Sequence, residues 1–236
     1  NSEFGVATAL NDEGNILAIT AVADDDGGTD RGSVQVFEYK TFFQRGNQGL
    51  KGDPIPGLTT EEYSGRSVSI NSDATVVAIG SHHFDGGAGT GSGTTRIYEW
   101  NGTAWVLKGS QINGLTSGEQ SGYRVSINSA GTIVAIGARS FDGGVGSNSG
   151  TTRIYEWNGT AWTLKKQING LTSGEEFGFS ASMNSDGTVV AIGAYKNDDA
   201  FNDAGTTRIY EWNGTAWTLK KQINGLTPGE QSGRSV

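Results

Sequence analysis

The sequence predicts an all-β fold, a β-propeller or propeller fragment of four-stranded antiparallel blades, and three observations carry that prediction. The first is repetition. A unit opening at Gly57 is written again at Gly114 and Gly170 and begun once more at Gly225, spacings of 57, 56 and 55 residues. A fixed period of this size marks units that bury their faces only against their neighbours. The second is the absence of helical periodicity, with turn signals between every pair of strand-like runs. The third is Asn-Gly between two β-prone runs, a strong hairpin signal.

The chain divides as one repeat domain, 1–236, with a diverged unit over 2–56, full units over 57–113, 114–169 and 170–224, and the start of another over 225–236. In the diverged unit GSVQVFEY (Gly32–Tyr39) stands for GTTRIYEW, and GLKGDPIPGL (Gly49–Leu58) for VLKGSQINGL. In the 170–224 unit Phe179–Met183 reads as a first strand and Asn184–Gly187 as a tight turn. Thr188–Ala194 is apolar at consecutive positions, as suits a strand covered on both faces. A glycine-rich segment then leads to Gly205–Trp212, the Asn213-Gly214 turn and Thr215–Lys220. Read as a two-residue type I′ loop, that turn sets Trp100 opposite Thr103 and Tyr98 opposite Trp105. In Ser67–Ile70 small polar residues alternate with apolar ones, which suits an innermost strand near an axis.

The opening Phe-Gly of the unit (Phe4-Gly5, Phe177-Gly178), its variants Ser64-Gly65 and Ser121-Gly122, and the Gly-Ala closing the second strand (Gly137-Ala138, Gly193-Ala194) together resemble the FG-GAP repeat. That resemblance covers essentially the whole chain and implies the propeller head of integrin α chains and related extracellular proteins. Gly80-Ser81 and Thr20-Ala21 depart from its second half.

Composition narrows the function. Glycine accounts for 38 of 236 residues and recurs at fixed places in each unit, so turns and close approaches explain it. With 25 acidic against 17 basic residues the net charge is −8, the wrong sign for a nucleic-acid partner. No apolar run approaches the ~20 residues that span a bilayer. There is no cysteine, hence no disulfide or thiolate chemistry. Glu3–Leu10 and Gln231–Val236 both read as a first strand, which predicts a fragment of a larger propeller or a head-to-tail assembly of chains.

Candidate sites follow from residue type. Asp24, Asp26 and Asp30 are oxygen donors for calcium, which takes six to eight of them, although a solvated acidic loop is the simpler reading. The resemblance implies a calcium loop between strands one and two, but there Ser69 and Val77, or Ser182 and Val190, replace its first and last acids. Asn71, Asp73, Asn184 and Asp186 therefore read as turn formers. His82 and His83, adjacent in one loop, read as surface residues unable to share a metal. Phe42 and Phe43, in the longer hairpin of the diverged unit, are candidates for an outside contact. Carboxylates recur in every unit, as Glu62, Glu119 and Glu175 do, and an acid present in every blade is expected to do one structural job repeatedly, accepting bonds from backbone or arginine. No singular acid–base pair stands out, so no catalytic residue is assigned.

The aromatic hairpin carries Trp100, Trp157 and Trp212 beside its turns. They read as an inter-blade core, with a per-blade sugar-stacking platform as the sharper alternative. Asn101, Asn158 and Asn213 each open Asn-Gly-Thr, formally an N-glycosylation acceptor. The function expected is a non-enzymatic extracellular or cell-surface interaction or structural protein that contacts protein partners or copies of itself; the alternative is a carbohydrate-binding propeller that contacts glycans.

Overall fold

The computed structural model describes residues 4–25, 28–38, 49–143 and 145–236, so Asp26, Phe42 and Phe43 lie outside the described residues. All regular structure there is β. The first sheet holds β1 (Phe4–Leu10), β2 (Ile16–Ala21), β3 (Ser33–Glu38) and β4 (Ile55–Pro56). The second holds β5 (Ser67–Ile70), β6 (Val76–Ser81), β7 (Thr94–Trp100) and an outer edge broken into β8 (Trp105–Leu107) and β9 (Ile112–Asn113). The third is β10 (Arg124–Ile127), β11 (Ile133–Ala138), β12 (Thr151–Trp157) and β13 (Trp162–Asn169); the fourth is β14 (Ser180–Met183), β15 (Val189–Ala194), β16 (Thr206–Trp212) and β17 (Trp217–Asn224). Each sheet is an antiparallel meander in chain order. The sheets are propeller-like blades, and the innermost strands β1, β5, β10 and β14 lie beside one another in that order.

The apolar second strand is covered on both faces because alternate residues serve different neighbours. On β6, Val77 and Ile79 pack back on Ile16, Val34 and Val36 of the first sheet, while Val76 and Ala78 pack forward on Val125, Val134 and Ile136 of the third. The next interface repeats this, with Ala135 and Ile154 against Val190 and Ile192. The core thus consists of three slabs between blades.

Inner strands are tied by serine. Ser67 Oγ accepts from Val125 N–H (2.9 Å), Ser69 Oγ from Ile127 N–H (3.1 Å) and Ser126 Oγ from Met183 N–H (3.0 Å). The alternation of small polar and apolar residues in these strands is therefore inter-blade stitching. The turns before the second strands are built by asparagine: Asn71 Oδ1 accepts from Thr75 and Val76 N–H (2.9 and 2.7 Å), and Asn184 Oδ1 does the same for Thr188 and Val189. A side-chain amide here replaces a missing backbone acceptor.

One expected register is corrected. Trp100 pairs with Trp105, and Tyr98 with Leu107, so the hairpin loop is the four residues Asn101-Gly-Thr-Ala104. Asn101 Oδ1 accepts from Thr103 N–H, Thr103 Oγ and Ala104 N–H, and only Gly102 takes a positive φ, +101°. A type I′ turn would need φ > 0 at both central residues. The asparagine side chain organises the turn without that.

Candidate functional site

Two features recur in every full unit and hold the blades. The first is a buried ion pair. Arg96 binds Glu62 through both terminal nitrogens (2.7 and 2.9 Å), Arg153 binds Glu119 (2.6 and 2.9 Å) and Arg208 binds Glu175 (2.8 and 2.8 Å). The remaining lone pairs of each acid are used locally, as where Glu62 accepts from Leu58 and Thr59 N–H. Such a pair offsets its desolvation only when fully bonded, as here. Each guanidinium also lies on a phenyl ring, Phe84, Phe141 and Phe177 respectively. In the fourth blade the loop position of Phe84 and Phe141 is Asn197, which donates to Glu175 (2.6 Å), and the entry residue Phe177 supplies the ring instead. The repeated carboxylates do the structural job expected of them.

The second recurring feature is the tryptophan pair. Trp100 and Trp105 lie tilted against each other with ring centres 5.4 Å apart, Trp157 and Trp162 at 5.5 Å, and Trp212 and Trp217 at 6.1 Å. Trp105 Nε1 donates to Lys51 O of the preceding blade (2.7 Å) and Trp162 Nε1 to Lys108 O (2.9 Å). Trp100 and Trp157 cover Gly52 and Gly109, where a Cβ would stand 2.6 and 2.7 Å from the ring. Lys51 and Lys108 lie over the same rings. The third blade has Lys165-Lys166 in place of that Lys-Gly, and Trp212 and Trp217 border a cleft of about 110 Å³ there. Trp100, Trp157 and Trp212 are half-buried, each with one face engaged in packing.

The singular chemistry sits where the units differ. After the entry glycines Gly65, Gly122, Gly178 and Gly233 stand Arg66, Tyr123, Phe179 and Arg234; just past β6, β11 and β15 stand His82, Arg139 and Tyr195. These positions meet at one end of the inner strands. The Tyr123 ring carries Arg66 at 4.6 Å and Arg139 at 4.2 Å, with His82 edge-on at 5.5 Å and Phe179 at 5.2 Å. Arg66 Nη2 donates to Tyr123 Oη (2.6 Å). The row continues through Phe179 to Tyr195 (4.2 Å) and, from His82, through His83 (4.1 Å) to Tyr63 (5.1 Å). Arg139 Nη1 reaches Glu176 Oε2 at 3.2 Å and Lys196 Nζ reaches Oε1 of the same acid at 2.7 Å. Glu176 raises the Lys196 pKa through that hydrogen bond.

His82 is therefore not the surface residue expected. It is 8% exposed and its Nδ1 has no hydrogen-bond partner. Burial, then the charges of His83, Arg66 and Arg139, push its pKa down to about 2. Residues 82 and 83 occupy a turn, not extended chain, so the two rings sit side by side. Beyond Tyr63 and His83 opens a cleft of about 600 Å³, also bordered by Glu61, Asp85 and Gln120. No histidine or aspartate motif flags this cluster. The available signal is the divergence of a few positions among nearly identical repeats.

The other candidates lie elsewhere. Asp24 Oδ2 accepts from Ser33 Oγ (2.6 Å), and Asp30 lies near Tyr63, whose hydroxyl is 3.4 Å from Asp30 Oδ2. Among the described residues no three His, Cys, Asp or Glu side chains gather as a metal site. Asn101, Asn158 and Asn213 are exposed at the tips of their hairpins. No helix among the described residues is long and apolar enough to cross a membrane.

No protein-family model matches the chain, and no curated protein matches it. Solved structures do. One described as "Complex of KlAtg21 with coiled-coil of AgAtg16" superposes with a TM-score of 0.60 at 14% identity, over 92% of this chain and 57% of that one. The likeness is one of fold. It supports a β-rich architecture of four-stranded antiparallel sheets, and this chain spans a little over half the length of the other.

Proposed function

We propose that this chain is a non-enzymatic interaction module of the extracellular or cell-surface kind, built from FG-GAP-like blades, whose divergent inner-strand ends contact a protein partner. One observation carries the reading. Units that agree through their sheets, ion pairs and tryptophan pairs differ where Arg66, Tyr123, Phe179, His82, Arg139 and Tyr195 converge. A frame built identically in each blade, with variation gathered at one end, suits a surface whose specificity is set by few side chains; aromatic residues and arginine are the types that dominate such contacts. The repeated acids are engaged with arginine and the repeated tryptophans with the preceding blade, which leaves the half-buried Arg66, Arg139 and Phe179, seated on the buried Tyr123, His82 and Tyr195, as the distinctive chemistry of this end.

The test is photo-crosslinking in an extract of the native source, with a benzophenone amino acid placed at Tyr63 or Phe179 and, as comparison, at the exposed outer-strand residues Leu164 or Leu219. Adducts concentrated at the first two positions are expected. Equal labelling at all four, or adducts confined to the outer strands, defeats the proposal.

A further inference from the structure

Arg124 breaks a local rule. The matching positions hold Ser67 and Ser180, whose hydroxyls stitch blade to blade, Ser67 accepting from Val125 N–H and Ser180 donating to Gly233 O (2.7 Å). Arginine has no hydroxyl to do so. The Ser67–Val125 bond also sets Arg66 and Arg124 beside one another across the inner strands β5 and β10, and Arg66 is further fixed by its bond to Tyr123 Oη.

Among the described residues no carboxylate lies within ion-pair distance of Arg66 or Arg124, whereas Arg139 and Lys196 share Glu176. Arg124 Nε is buried without a hydrogen-bond partner, and so is Nδ1 of the 92%-buried His82, which faces the same Tyr123 ring. Burial and the neighbouring Arg66 lower the Arg124 pKa, the signature of cations held together without a counter-charge. Both arginines remain partly exposed. Unpaired donors and like charges kept together are costly unless an acceptor arrives from outside.

We infer that Arg66 and Arg124, backed by Tyr123 and His82, receive a carboxylate from an acidic segment of the partner protein. The inference rests on the interaction-module reading and adds the partner's chemistry. Guanidinium forks match carboxylates in bidentate geometry, so a carboxylate supplies the counter-charge that Arg66 and Arg124 lack.

The experiment is a fluorescence-anisotropy titration with a labelled hexaglutamate peptide at low salt, using a hexalysine peptide and inorganic phosphate as comparisons. Hexaglutamate is expected to bind and to be released by added salt. R124S installs the serine that the sister blades carry, and R66Y the tyrosine of the next unit, so both variants suit the fold. Each is expected to weaken binding roughly tenfold to a hundredfold, the loss of a charge-assisted bond. Retained melting temperature in R124S separates that loss from unfolding. No binding by the parent protein, unchanged affinity in both variants, or phosphate binding as tightly as the peptide overturns the inference. Crosslinks concentrated at Tyr63 and Phe179 without hexaglutamate binding would overturn this inference alone, whereas the interaction-module proposal stands or falls on the crosslinks.

Discussion

Glu175 is kept charged inside the protein against the tendency of its surroundings. Burial works to raise its pKa, but the hydrogen bonds and charge of Arg208, the Leu171 N–H and Asn197 outweigh that and hold the carboxyl below its ordinary value. A folded pKa below the unfolded one means the contribution is complete above about pH 4.3 and is lost as pH falls through the folded value. E175Q is expected to destabilise by about 3 kcal/mol at pH 7, the low end for breaking a buried pair, since it leaves Arg208 only the Asp199 carboxylate at 3.8 Å. The gap from the parent should narrow on acidification below the ordinary glutamate range; urea unfolding at pH 7 and pH 3.5 measures both. His82 runs the same way in a higher window. Its folded pKa of about 2 lies below the unfolded value near 6.5, so its contribution is complete above pH 6.5 and declines as pH falls towards 2. H82Y, which installs the residue found at the matching Tyr195, should remove a loss of at most about 1.4 kcal/mol per pH unit. Melting temperatures between pH 7 and pH 5 that fall equally in both proteins would refute this. At this scale the acids were legible from repetition alone, but the burial of His82 was not. Nothing in the order His-His-Phe reports that Tyr123 of the next unit closes over it.

Close approach decides how far a strand pair tolerates substitution. Gly137 on β11 faces the entry of the next blade, where an added Cβ would stand 2.2 Å from Gly178 O. Backbone on both sides cannot yield as a side-chain tip can, so G137A should cost about 1–3 kcal/mol or more in chemical denaturation by forcing β11 away from the segment that enters β14. A melting curve identical to the parent's would show that the blades are not packed this tightly. The outer hairpin shows why elements were easier to read than their registers. Strand, turn and strand follow from composition, but Asn-Gly serves two turn designs. The Asn101 side chain, accepting three bonds, selected the four-residue loop, and Trp100 thereby came opposite Trp105.

For the molecule as a whole, cohesion runs from neighbour to neighbour through three apolar slabs. Stability in such an array is close to a sum of unit and interface contributions, so damage should stay local. R208M is expected to reduce hydrogen-exchange protection in β14–β17 while amides of β2 and β3 keep theirs; a uniform loss along the chain would show a single cooperative unit instead. Sequence alone determined the all-β class, the period, the four strands of each unit and the structural use of repeated acids, because these depend on residue patterns within one unit. Tertiary structure alone decided what the divergent positions mean. Arg66, Tyr123, Arg139 and His82 belong to different units or different strands, and only the lateral packing of inner strands brings them to one ring, a contact that no pattern internal to a repeat encodes.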